Sequence, residues 1–130
     1  LYRKVKDIFS LVGEIVEVPE KMLDAVTGLS GSGPAYVYQF MKGMIEGGVA
    51  AGLPKALAEK LALHTLIGAS ATLFKTGKSP DELTKMVASP GGTTIEGLKT
   101  LKSGRLLTSL TKAVLAASKK SKVISKKWAK

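Results

Sequence analysis

The sequence predicts a mainly α-helical fold: a helical bundle preceded by one helix and one strand left over from an α/β unit. Three observations carry this. Apolar residues recur at helical three- and four-residue steps along most of the chain, proline and glycine stand where helices start and stop, and only residues 14–18 are short and β-branched enough to read as a strand. With 130 residues and 45% apolar content, the chain has room for one domain with a core.

Leu1, Val5, Ile8 and Val12 form the stripe of a first amphipathic helix, and Gly13 stands where a C-terminal glycine belongs. EIVEV at residues 14–18 is the strand candidate, closed by Pro19. A strand needs neighbours for its N–H and C=O groups. Residues 1–19 therefore read as the last helix and strand of an α/β domain whose remainder lies upstream, and a start in mid-pattern without methionine points the same way.

Residues 20–29 look helical and run into GLSGSGP at 28–34. Its glycine spacing is G-x-x-G-x-G, and a helix precedes it where a dinucleotide-binding turn requires G-x-G-x-x-G after a strand. The better reading is a helix break, with Pro34 at the first position of a new helix capped by Ser32 or Gly33. That helix, residues 34–51, places Val37, Met41, Met44, Ile45 and Gly48 on one face, and Gly43, Gly47 and Gly48 offer a flat notch for close backbone packing. Gly52 ends it.

From Pro54 to about Thr76 the next helix is apolar nearly all round, with Leu57, Leu61, Leu63, Leu66, Ile67, Leu73 and Phe74. Such a helix must be covered on every side, and a second subunit is the evident cover. His64 reads here as a buried, hydrogen-bonded core residue rather than a catalytic base. After Gly77, SPDE at residues 79–82 forms a capping box with proline at the first helical position. A further helix carries Ile95, Leu98 and Leu101 to Gly104. The last runs from Arg105 to about Lys127, with Leu107, Leu110, Val114, Ala117, Ser121, Ile124 and Trp128 as a heptad seam.

Composition excludes several classes. The chain has no cysteine, hence neither disulfide framework nor thiolate nucleophile, which fits a reducing, cytoplasmic setting. A single histidine rules out a multi-histidine metal site, and no metal is expected. The net charge of +10 collects in the tail, at Lys119, Lys120, Lys122, Lys126, Lys127 and Lys130, and reads as a solvated face rather than a nucleic-acid stripe. The charged opening LYRKVKD lacks the apolar region of a signal peptide, and no apolar run makes a convincing membrane span.

The stretch with the most chemistry is VASPGGTTIEG at residues 87–97. Pro90 fixes one φ, Gly91 and Gly92 permit close approach, and Thr93 with Glu96 reads as a capping box that starts a helix at about Thr94. Free N–H groups with the positive end of a helix dipole behind them make a seat for a small anion.

This stretch and DAVTGLSGSGPAY at residues 24–36 resemble pyrroline-5-carboxylate reductase, in order, separation and intervening helices. The resemblance covers essentially the whole chain. It implies that residues 1–19 end a nucleotide-binding domain and that residues 20–130 are an all-helical dimerisation and substrate-binding domain, similar to the C-terminal domain of 6-phosphogluconate dehydrogenase. It further implies reduction of 1-pyrroline-5-carboxylate to L-proline with NADPH or NADH, the cofactor being held by an N-terminal domain absent from this sequence. Ser89 and the backbone N–H groups of Gly92, Thr93 and Thr94 would hold the substrate carboxylate, the Thr94 hydroxyl would sit by the nitrogen as the catalytic group, and Thr27 would be a further pocket residue. The family's site is assembled from more than one chain, which implies a homodimer or higher homo-oligomer. The alternative is a catalytically inert assembly module, and on either reading this chain alone is expected to be inactive.

Overall fold

The computed structural model describes residues 2–128; Leu1 of the first stripe and Lys130 of the tail lie outside them. α1 (Tyr2–Ser10) is followed by an irregular segment, a 3-10 turn (Glu20–Met22), a short α2 (Leu23–Val26) and a π turn (Thr27–Gly31). Then come α3 (Gly33–Ala50), α4 (Lys55–Thr76), α5 (Pro80–Val87), α6 (Thr93–Ser103) and α7 (Leu106–Trp128). The mainly helical expectation holds. No described helix is long and apolar enough to cross a membrane.

The expected strand does not form. Residues 14–18 pair with no neighbouring strand among the described residues, and an unpaired strand leaves its backbone groups to water. The segment is tied to α1 instead by an exposed ion pair between Lys6 and Glu17 at 2.8 Å. Gly13 is not a left-handed cap either, since α1 ends in short-range bonds from Leu11 to Ile8 and from Val12 to Phe9.

The break expected between residues 28 and 34 is a widened helical turn. The Ser32 N–H reaches back five residues to the Thr27 carbonyl at 2.9 Å, and Ser32 itself stays helical at φ −91°, ψ −18°. Chain direction therefore passes almost unbroken into α3, and Pro34 occupies its second position rather than its first. At the far end the chain reverses cleanly. Gly52, at φ +102°, lets the Leu53 N–H return to Gly48 and its own N–H to Val49, both at 3.0 Å, closing the two orphan carbonyls of a Schellman motif.

α3 and α4 pack against each other where Gly48 meets Ala58; a side chain at 48 would begin 3.2 Å from the Ala58 Cβ. Of the anticipated notch only Gly48 is used within the chain, as Gly43 and Gly47 face open space. α7 packs along α2 and the π turn, through Val114, Ala117, Ser118 and Ser121, while Leu107 and Trp128 at the ends of the seam stay exposed. α7 starts one residue later than expected because Arg105 takes φ +55°, outside the helical region.

Little of this buries apolar surface. Ala58 and Ala62 are the buried hydrophobic residues among those described, and the accessible area is 11002 Å². A compact chain of 13.6 kDa exposes roughly 6,600 Å² by the usual scaling, so about 4,400 Å² is left over. That surplus is on the scale of an obligate interface. His64, expected in the core, is exposed on α4, because only the stripe through Ala58 and Ala62 is covered by α3.

The capping box at the start of α5 forms as expected. The Ser79 Oγ accepts from the Glu82 N–H, while the Ser79 N–H and O–H donate to the Glu82 carboxylate at 2.8 and 2.7 Å. These donors, the side chain first, hold the Glu82 carboxyl below its ordinary value. The box therefore contributes above the ordinary carboxylate range and is lost as pH falls through the lowered value. An NMR titration of the Ser79 amide should show a midpoint below that of an exposed glutamate, and Ser79→Ala, which removes the larger of the two donors, should raise the Glu82 midpoint toward the ordinary range.

Candidate functional site

The turn before α6 is built by its own sequence. Pro90 supplies the fixed φ of a second turn position and Gly91, at φ +73°, the left-handed third, so residues 89–92 form a type II turn. The turn closes on a bond from the Gly92 N–H to the Ser89 carbonyl at 3.0 Å. A side chain at 92 would come within 2.6 Å of the Ser89 Oγ and 3.1 Å of its carbonyl oxygen, so glycine is what lets the hydroxyl overhang the helix start.

Two expectations change here. Gly92 is not a free donor, because its N–H is consumed by the turn. The capping box at Thr93 is also absent: Gly92 is the cap residue, Thr93 is already the first helical residue, and the Glu96 carboxylate pairs with Lys99 at 2.6 Å. The next amide, of Ile95, turns back to the Gly92 carbonyl at 3.2 Å. Thr93 and Thr94 lie between these, with no internal acceptor for either amide and none required by helix geometry. Their two N–H groups, the Ser89 hydroxyl and the positive end of the α6 dipole belong to one mostly exposed, small-residue turn. Such a set can hold a small anion and orient it.

Thr27 stands elsewhere. It opens the π turn, its hydroxyl donating to the Leu23 carbonyl at 2.9 Å. With Ser32, Lys120, Ser121 and Ser125 it lines a concavity of about 400 Å³ between the π turn and α7, to which no residue of the turn at 89–92 contributes. Within one chain the candidates thus form two groups: Ser89, Gly92, Thr93 and Thr94 together, and Thr27 apart.

Sequence reasoning missed the ties between the glycine-rich motif and α7. The Tyr36 hydroxyl lies 3.4 Å from the Gly28 carbonyl oxygen and 3.3 Å from that of Ala113, and the Ser121 hydroxyl donates to the Asp24 carboxylate at 2.7 Å. Asp24 and Tyr36 bound the glycine-rich motif in sequence, but their partners on α7 are 77 to 97 residues away. No local pattern signals such pairs.

Residues 20–124 match the family described as pyrroline-5-carboxylate reductase dimerisation. The chain is 48% identical, over 95% of its length, to the pyrroline-5-carboxylate reductase of Synechocystis sp., and 51% identical over 91% to that of Arabidopsis thaliana. It spans 46% and 43% of those proteins, a little under half. Among solved structures, the pyrroline carboxylate reductase of Plasmodium falciparum with NADP bound superposes with a TM-score of 0.90 at 38% identity, over 94% of this chain and 49% of that one. The 1-pyrroline-5-carboxylate reductase of Streptococcus pyogenes gives 0.89 at 33% identity, over 93% and 47%.

Proposed function

The chain belongs to the pyrroline-5-carboxylate reductase dimerisation family, and from that premise we propose that it is the dimerising and substrate-binding part of a reductase converting 1-pyrroline-5-carboxylate to L-proline. The observation that carries this reading is the pair of amides at Thr93 and Thr94, without internal acceptors, at a helix start where the Ser89 hydroxyl packs against Gly92. They suit the substrate carboxylate in number, direction and charge.

The nicotinamide of NADPH or NADH would supply the hydride. This chain's glycine-rich motif does not fit a dinucleotide: Gly28, Gly31 and Gly33 lie in or beside a π turn rather than between a strand and a helix, and Gly28 is buried against Ser118. On this reading the cofactor belongs to a separate nucleotide-binding domain; the Plasmodium relative, of which this chain spans 49%, has NADP bound. The family match beginning at residue 20 supports a boundary there, with residues 1–19 as the end of that domain and residues 20–130 as the helical one.

What the chain contributes is binding and orientation. The carboxylate rests on the Thr93 and Thr94 amides and the Ser89 hydroxyl, which fixes the ring, and the Thr94 hydroxyl meets the ring nitrogen. That nitrogen is protonated in the reactive iminium, so the carbon beside it is already electrophilic and no residue need act as general acid. Gly92 serves by admitting Ser89 rather than by donating. A homodimer, or a higher assembly built from it, covers much of the surplus surface and supplies the second wall of the pocket. A cytoplasmic setting suits a chain without cysteine.

Replacing the corresponding segment of the Synechocystis reductase by residues 20–124 tests this. The chimera should reduce 1-pyrroline-5-carboxylate with NADPH or NADH, and Ser89→Ala should raise KM for the imino acid roughly tenfold, as loss of a hydrogen bond to a charged group does. A folded, dimeric chimera with no turnover would overturn the reading.

A further inference from the structure

The geometry points to Tyr36 and Ser121 as positioning residues that fix Thr27 in the substrate pocket, an inference that rests on the reading of Thr27 as a pocket residue. The starting point is the π turn itself. A π turn holds an extra residue and is less favourable than the α form, and such turns are rare and frequently stand at functional sites. Relaxing it to α geometry would rotate the residues before it by about 100° relative to α3, carrying Thr27 round the helix. Something must hold it open.

α7 provides the brace. Upstream of the turn, Asp24 accepts a hydrogen bond from Ser121 at 2.7 Å; downstream, the Tyr36 hydroxyl reaches the Ala113 carbonyl at 3.3 Å. Both anchors belong to one uninterrupted helix of 23 residues, so their separation, about 12 Å at the helical rise, is rigid. The chain between Asp24 and Tyr36 must fit that span. Tyr36 also acts inside the turn. Diverting the Ser32 N–H to Thr27 deprives the Gly28 carbonyl of its α-helical donor, and the Tyr36 hydroxyl stands 3.4 Å from that carbonyl.

Thr27 gains a defined role from this placement. Its proton is committed to the Leu23 carbonyl, so its oxygen offers lone pairs only, toward the concavity lined by Ser32 and Lys120. An acceptor held at a fixed angle suits a ligand N–H.

The test uses the chimera with the Synechocystis reductase and the variants Tyr36→Phe, Ser121→Ala, Ser121→Thr and Thr27→Val. Tyr36→Phe and Ser121→Ala should each raise KM for the imino acid roughly tenfold while leaving kcat within about twofold, the signature of misplaced binding contacts. Ser121→Thr, which keeps the hydroxyl, should restore KM, and the dimer mass should be unchanged throughout. A normal KM in Tyr36→Phe and Ser121→Ala alongside a raised KM in Thr27→Val overturns the inference alone. A normal KM in Thr27→Val overturns the reading beneath it. Loss of the dimer in Tyr36→Phe or Ser121→Ala would mark a structural role and also overturn the inference.

Discussion

Ile67→Glu is expected to leave the chain monomeric. Nine residues at 100° each put Ile67 about half a turn round α4 from Ala58, the residue that α3 buries. Leu63 and Phe74 fall on the same outward face, at 45% and 86% exposure against 55% for Ile67 itself. Three large apolar side chains in water on one 22-residue helix account for part of the surplus surface, and a second copy covers them most simply. A carboxylate placed there would be buried without a partner, at a cost of about 3–5 kcal/mol for each chain. Since two chains meet, the dissociation constant should rise by at least about a thousandfold. Sedimentation velocity at micromolar concentration decides it: a chain that stays dimeric with Ile67→Glu would place the interface on another face. His64→Ala, on the same helix, is the useful companion, since it removes a polar ring without adding charge and should leave the dimer intact.

The sequence made the helices legible because their signals are local. Ser79 and Glu82 meet three residues apart, and Gly52 closes α3 on carbonyls within the same turn, so each reads directly from its neighbours. The errors have separate causes. Residues 14–18 have strand composition, yet a strand depends on a distant partner that composition cannot supply. Glu96 has the spacing of a capping box, but the type II turn places Gly92 at the cap, and Lys99 competes for its carboxylate. His64 lies on an apolar helix that predicts burial, but the cover for that face is not within the chain. At the candidate site the sequence identified the turn and its threonines; the loss of the Gly92 amide and the brace through Tyr36 and Ser121 arise only from folded geometry.

Gly28→Ala should be the most damaging single methyl group in the molecule. Gly28 is buried where the π turn crosses α7, and a Cβ built on it overlaps the Ser118 hydroxyl and lies 2.7 Å from the Val114 carbonyl oxygen and 2.8 Å from the Ser118 nitrogen. The hydroxyl can swing aside, though it would give up its bond to the Val114 carbonyl at 2.9 Å. The two backbone atoms cannot, because they belong to the hydrogen-bond ladder of α7. Relief has to come from separating the helices, and that pulls on the Asp24 and Tyr36 anchors on either side. Overpacking of this kind costs about 3 kcal/mol, equivalent to a fall in Tm of roughly 10 °C for a chain of this length. The paired variant Ser118→Gly in the same chain separates the causes. It removes the movable contact and leaves the backbone clash, so it should recover only a minor part of the loss in thermal unfolding; full recovery would mean that the side chain, not the close passage of two backbones, sets the requirement for glycine.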